Sequence, residues 1–553
     1  MPLAGFVPYD PALAALYERR RWWLGLTMGD TLDRSADMYP LKEAVVEVGG
    51  QARRYSYAQL RAEVDALAYN LLGLGFQPGD TVLLMLPNIA EFVTCYYALQ
   101  KAGLVMVLLT VNHSAREIIH LARLTQPQGW ILPASYRGLN YGPLLAEVKA
   151  SAPELKAILV CEERPAVGDF WLEELKTSAA APADLAAALE AVRPDPTEVC
   201  QILPSGGTTG LPKGCPRTHN DYLCNVEYKA RAWNFTVEDR HLVATTVGHN
   251  LALLLGVTPA VMWGATQVLI DSTRPADFLA AVEQERCTRT ALVPTLVSRI
   301  LSFPELDRYD LSSLSKIYVG AANSPPELVR AAEEKLGVRY VNAFGMVEGP
   351  CAQTRPEDDL YARTSTIGRP VCPYDTFLTL DSEGRPTPRG TEGELAARGP
   401  GIFTGYLRNP QANLESFTPE GFFRSGDLAV IEESGLIRIT GRIKDIIIRG
   451  GENIAAREVE DLISGHPAVE YVAAVGLPDP DLGEVVGAFL TLKPGQSLSY
   501  EELCAYLTAE GASKALIPAR LEVLAEMPLT AAGKADKKLL REQIKAKLAQ
   551  EKA

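Results

Sequence analysis

Short apolar runs alternate with longer amphipathic stretches along most of this 553-residue chain, and no other feature narrows its fold so far. Residues 81–86 (TVLLML), 106–111 (MVLLTV) and 157–161 (AILVC) have the length and aliphatic content of buried strands. Residues 56–74 and 89–102 repeat apolar positions at helical spacing. Strand then helix, repeated, predicts an α/β fold around largely parallel sheets, and the pattern returns from 199 to about 366. From 368 to 440 helices thin out and Gly/Pro turns separate short strands, which predicts a small β-rich unit. A charged turn, a strand and a glycine turn follow in GRIKDIIIRGGENI (441–454), then a helix over 457–464. The chain is too long for one compact core, so a domain boundary is expected at 443/444. The Lys-, Glu- and Ala-rich tail, 539–553, is expected to fray.

Composition excludes several functions. The 54 basic and 68 acidic residues give a net charge of -14, which disfavours nucleic acid or an anionic membrane as partner. Nine scattered cysteines without a C-x-x-C read as reduced thiols of a cytoplasmic protein, with neither disulfide framework nor zinc site. Residues 251–270 carry no charge over a bilayer-spanning length. Gly256, Pro259 and Gly264 interrupt them and no flanking basic or aromatic belt appears, so a buried helix leading into a core strand is expected.

The segment richest in chemistry is SGGTTGLPKG (205–214). Glycines allow close backbone approach, so successive N–H groups can surround a phosphate. Thr208 and Thr209 add hydroxyls and Lys213 a point charge. A strand over 199–203 is expected to lead in and a helix from about 218 to lead out. It is not a Walker loop, because Leu211-Pro212 precedes the lysine and no Ser/Thr follows it. A Gly/Thr surface loop is the plain alternative.

This segment resembles the phosphate-binding loop of the adenylate-forming superfamily of acyl-CoA synthetases, peptide-synthetase adenylation domains and luciferases. NAFGMVEG (342–349), SGD (425–427), the 441–454 segment and PLTAAGK (528–534) resemble further signatures of that family in order. The resemblance implies a large N-terminal domain, 1–443, of two α/β sheet subdomains plus a small β-rich, barrel-like one. A smaller, mobile α+β C-terminal domain, 444–553, would carry the catalytic lysine. It implies that Ser205, Gly206, Gly207, Thr208, Gly210 and Lys213 hold the phosphates of ATP. Gly320, Ala321, Ala322, Asn342, Phe344, Gly345 and Met346 would meet the adenosine, and Asp427 and Arg442 the ribose or phosphate. Glu348, a hard oxygen ligand, would hold Mg²⁺ together with Thr209. Lys444 matches the family's hinge, and Arg449, Gly450 and Gly451 would approach the thiol. Lys534, Thr209, Glu348 and His249 would be the catalytic set, with Lys534 clamping carboxylate and α-phosphate.

Within the superfamily the chain is most similar to stand-alone aryl-acid activating enzymes such as 2,3-dihydroxybenzoate–AMP ligases. PRTH (216–219), the pair His249-Asn250, FGMVEG and RGGE carry that likeness. His249, Asn250, Leu251, Leu255, Gly320 and Val347 would then line the acid pocket. The dihydroxybenzoate enzymes have tyrosine where this chain has Leu251, and leucines follow at 253–255. Buried ring hydroxyls left unpaired are costly, so this wall favours a plain or lightly substituted ring, aromatic or alicyclic. The implied reaction is ATP- and Mg²⁺-dependent formation of an acyl-AMP from a small carboxylic acid, then transfer to coenzyme A. Asn453, where siderophore enzymes carry Lys, favours that acceptor. Loading of a carrier-protein phosphopantetheine is the alternative, and a non-catalytic nucleotide-binding relative is the remaining one. A monomer or homodimer is expected.

Overall fold

The computed structural model describes residues 3–49, 52–161, 168–178, 180–205, 211–322, 324–449, 452–479, 482–530 and 534–551. The alternating pattern resolves into two large sheets. In the seven-stranded sheet the central strands Thr81–Met85, Val105–Leu109 and Gly129–Pro133 are parallel and buried at every position. Helices on both faces explain why their sequences are apolar throughout rather than alternating. The nine-stranded sheet is parallel from Glu43–Val48 through Thr266–Ile270, Arg240–Val243, Arg289–Leu292 and Lys316–Val319 to Arg339–Gly345. Its edges are antiparallel. The helix expected over 56–74 runs Tyr57–Gly73 from a Ser56–Gln59 capping box, and that over 89–102 runs Ala90–Lys101.

The β-rich stretch is a four-stranded antiparallel meander ending in Ile437–Arg442. A single 3₁₀ turn, Ile443–Asp445, then leads to Ile446–Arg449, which belongs to a separate five-stranded sheet. The tail departs from expectation. It forms a helix, Lys537–Glu551, that buries Leu540 and Ile544 against Val475 and Phe489. Two apolar residues at i, i+4 are enough to dock a helix whose composition reads as solvated.

The uncharged stretch 251–270 is not one helix. Asn250–Ala252 passes into a π turn, Leu253–Val257, then a short helix, Thr258–Met262, and the core strand Thr266–Ile270. The π turn closes with Thr258, whose backbone N–H and hydroxyl both reach the Leu253 carbonyl. Among the described residues no helix is long and apolar enough to cross a membrane.

One buried side chain joins the sheets to the meander. Arg217, 1% exposed, lies on the strand Gly214–Thr218. Its Nε donates to Asp221 at 2.5 Å, Nη1 to the Val347 carbonyl at 2.8 Å and Nη2 to the Gly401 carbonyl at 2.9 Å. Asn225, on the helix His219–Ala232 that also carries Asp221, donates to the Gly349 and Gly401 carbonyls. Gly349 sits at φ +114°, and a Cβ there would lie 2.2 Å from the Gly401 carbonyl oxygen, so only glycine allows this approach. Removing one partner of such a buried pair strands the other charge. Arg217→Met is expected to cost about 3–5 kcal/mol, read as a lower urea midpoint, and Arg217→Met/Asp221→Asn to regain part of it. An unchanged midpoint in the single variant refutes the clamp.

Candidate active site

The strand Val199–Pro204 enters the glycine loop as expected, but no helix leaves it directly. Gly214–Thr218 intervenes and pairs antiparallel with Val199–Pro204, so the loop is the tip of a hairpin. That strand is the sheet's edge, which is where Pro216 is tolerated. The helix follows at His219–Ala232, capped by Thr218 and Asp221. The Ser205 N–H donates to the Lys213 carbonyl at 2.9 Å, and the Lys213 N–H to Ser205 Oγ at 3.2 Å, which pins both feet of the loop. Gly206, Gly207, Thr208, Thr209 and Gly210, like Gly450 and Gly451, lie outside the described residues.

The Lys213 ammonium lies over the Tyr406 ring, 3.8 Å from its centre, and the Tyr406 hydroxyl donates to Glu348 at 2.7 Å. One phenol thus positions a cation and an anion of the site. Nothing local marks it, because a tyrosine in TGYL (404–407) looks like core. Burial pushes the Lys213 ammonium down, against the pull of Glu348. The described residues hold no cluster of three or more His, Cys, Asp or Glu that could bind a metal. A divalent ion would rest on Glu348 and phosphate oxygens, which is how magnesium is usually held.

Asp427 and Arg442 face each other across adjacent strands, with Arg442 Nε donating to Asp427 Oδ1 at 2.6 Å. Asp427 is 2% exposed and its Oδ2 has no partner among the described residues. An orphaned buried carboxylate oxygen is rare, and it suits a ligand hydroxyl. Gly320 follows the strand Lys316–Val319, and Ala321 sits at φ +70°. A left-handed alanine is sterically strained and persists where its surroundings fix it, often at a binding turn. Asn342 is engaged elsewhere: its amide donates to the Thr366 carbonyl at 2.9 Å. Phe344 is half-buried against the meander core, and Met346 against the main one.

Lys534 enters from the C-terminal segment. Thr530 N–H donates to its carbonyl and a Leu529–Ala535 bridge closes the turn behind it. Its field is shared with Arg442, Asp427 and Glu348, and it acts in turn on His249. Burial and then Arg442 push the ammonium down to about 8, while the two carboxylates oppose them. Lys444 is exposed in the 3₁₀ turn, and its neighbour Asp445 binds Arg541 at 3.2 Å and Lys537 at 3.6 Å. Arg449 points to the Lys514 carbonyl instead.

His249 caps the helix Asn250–Ala252: its Nδ1 accepts from the Leu251 N–H at 3.1 Å. Burial, then Lys534 and His113, push its pKa down to about 4. The imidazole is therefore neutral at pH 7, with its proton on Nε2. Asn250 accepts from the Tyr222 hydroxyl at 2.8 Å. A Cβ on Gly320 would stand 3.4 Å from Leu251 Cδ1 and 3.2 Å from the Ala343 carbonyl oxygen, so a side chain there would press on both. Leu255 is buried inside the π turn. Val347 turns its carbonyl to Arg217.

Known proteins match the chain over nearly its whole length. The family model for AMP-binding enzyme matches residues 32–407, and that for the AMP-binding enzyme C-terminal domain matches 458–534. The chain is 37% identical to a salicylyl-CoA synthase / salicylate adenylyltransferase of a Streptomyces species, over 99% of both chains. It is 35% identical to a salicyl-AMP ligase / salicyl-S-ArCP synthetase of Mycobacterium tuberculosis, over 98% of this chain and 95% of the other. The solved structure of Mycobacterium smegmatis MbtA without ligand superposes with a TM-score of 0.73 at 34% identity, over 98% of this chain and 99% of that one.

The field around Lys534 is open to titration. Lysine NMR should place its Nζ near pH 8. Asp427→Asn should lower that value further and Arg442→Met raise it, since the first removes an opposing anion and the second a like charge. A titration near 10.4, the ordinary lysine value, would remove Lys534 from the cleft.

Proposed function

The chain belongs to the AMP-binding enzymes, a family of adenylate-forming ligases, and from that premise we propose that it adenylates an aromatic carboxylic acid and passes the acyl group to coenzyme A. ATP and Mg²⁺ are the co-reactants of the family. The first half-reaction joins a carboxylate oxygen to the α-phosphorus of ATP and releases pyrophosphate. Two anions must meet, so positioning and charge neutralisation supply most of the catalysis.

The observation that carries this reading is the set of charged groups held in place by direct contacts: Lys213 over the Tyr406 ring, Glu348 on the Tyr406 hydroxyl, and buried Asp427 paired with Arg442 at 2.6 Å with its second oxygen unpartnered among the described residues. Lys534 clamps the acid's carboxylate and the α-phosphate together. His249, neutral with its proton on Nε2, donates to the carboxylate without competing for its charge. Lys213 meets the outer phosphates, and the free Asp427 oxygen takes a ribose hydroxyl. Mg²⁺, when bound through Glu348, neutralises phosphate charge. The acid's ring lies beside Leu251 and Gly320.

In the second half-reaction the thiol attacks the acyl carbon and AMP leaves. A domain boundary at 443/444 lets the small domain turn about Lys444 and withdraw Lys534. Asp445 binds both Lys537 and Arg541, so the lysine loop travels with the hinge as one body. A second reading, transfer to a carrier protein, draws on the salicyl-AMP ligase relative.

Lys534→Ala should slow acid-dependent ATP–pyrophosphate exchange about 10²–10³-fold, and a loss below tenfold would sink the clamp. Lys444→Pro should leave exchange largely intact but suppress thioester formation; equal loss of both steps counts against the hinge. Product analysis with ATP, Mg²⁺ and salicylate or benzoate decides the acceptor. A thioester formed on adding coenzyme A supports the first reading, whereas acyl-AMP that persists in its presence supports the carrier protein. Exchange with no cyclic acid overturns both.

A further inference from the structure

Behind the residues assigned to the acid lies a buried cation that the adenylation chemistry does not use. Lys229 is 3% exposed on the helix His219–Ala232, on the same face as Tyr222 and two turns further along. Tyr222 holds Asn250 at the reacting end, so Lys229 stands about 10 Å deeper along the helix axis. Its Nζ donates to the Tyr318 hydroxyl at 2.9 Å, which donates to Gln353 Oε1 at 2.5 Å. Tyr318 precedes Gly320 by two residues, hence shares its face of the strand and lies deeper in the sheet. A Cβ on Gly345 would stand 3.7 Å from Lys229 Nζ and 3.4 Å from Cys351 Sγ. Gly345 itself is exposed and carries no side chain over the ammonium.

This cluster is electrically incomplete. No carboxylate among the described residues forms an ion pair with Lys229. Burial pushes both the Tyr318 phenol and the Cys351 thiol up, so at neutral pH neither is a counter-anion. The Gln353 amide nitrogen, 2% exposed with its residue, has no partner among the described residues. Buried charges in proteins are paired or held by ligands. An ammonium has three protons to donate; the Tyr318 phenol and the Cys351 thiol take at most two, and neither brings a negative charge.

We propose that Lys229 is a specificity determinant: its ammonium receives an anionic or hydrogen-bond-accepting substituent on the ring of the acid, at the end away from the reacting carboxylate. The leucines at 251 and 253–255 then contact the ring's flank, while Lys229 reads its tip. This rests on the aromatic-acid reading above and narrows it to rings that are not plain. A hydroxyl and a second carboxylate present the same acceptor chemistry, and the test separates them.

The test is kcat/KM in ATP–pyrophosphate exchange for benzoate, 3- and 4-hydroxybenzoate, and the 3- and 4-carboxybenzoates, in the native enzyme and in Lys229→Met. The native enzyme should prefer at least one substituted acid to benzoate by about tenfold or more, because a site built to hydrogen-bond a substituent rejects the analogue lacking it. Lys229→Met should reduce that ratio at least tenfold, with thermal melting recorded alongside. Native kcat/KM for benzoate equal to or above that for every substituted acid overturns the inference without any variant. So does a ratio that Lys229→Met, still folded, leaves unchanged. Exchange with none of the acids overturns the aromatic-acid reading and this inference with it.

Discussion

The buried guanidinium of Arg217 is the constraint around which the large domain is arranged. Withdrawing that charge from water is expensive, and the cost is offset only where its donors are met with good geometry. Asp221, the Val347 carbonyl and the Gly401 carbonyl meet them. These acceptors belong to the helix His219–Ala232, the turn beside Glu348, and a connection between two strands of the meander. The guanidinium's planar fork leaves each of them little freedom of position. The hairpin foot, the acidic turn and the meander are thereby fixed relative to one another before any ligand arrives.

Charge in the cleft is distributed on the same principle of shared supports. Tyr406 touches Lys213 with its ring and Glu348 with its hydroxyl, so a cation and an anion are spaced by one rigid side chain. Asp427 gives one oxygen to Arg442 and leaves the other without a partner. Lys534 is delivered into this field from the other side by a short turn whose neighbour Lys537 is tied to Asp445 and Glu460. The ligand-free cleft thus keeps one buried carboxylate oxygen unmet among the described residues, which suits a hydroxyl donor.

The sheets and main helices were legible in the sequence, because residues 81–86 and 106–111 are apolar throughout and can only be buried strands. Lys213, Glu348, Asp427 and Lys534 were found through ordered segments whose likeness is to a family; residue chemistry alone would have left each an ordinary surface charge. What escaped depends on contacts distant in sequence. The strand Gly214–Thr218 contains a proline, which reads as a breaker until its edge position is known. Tyr406 and Lys229 carry no local signature, since their partners lie 58 and 89 residues or more away. The tail helix was missed because two leucine-sized contacts, at 540 and 544, outweigh a composition that looks solvated.

The π turn at Leu253–Val257 gives the stretch that follows His249 a particular kind of adaptability. Such a turn accommodates one residue more than an α-helical turn and marks a place where chain length itself is negotiable. Loss of a single residue there would turn the upstream face, with Asn250 and Leu251, by about 100° relative to the helix that follows. The flanking strands and their anchors would keep their places. Divergence in what a site beside such a turn accepts can therefore proceed through insertion and deletion as readily as through substitution, and a family tree drawn from aligned columns alone would overlook it.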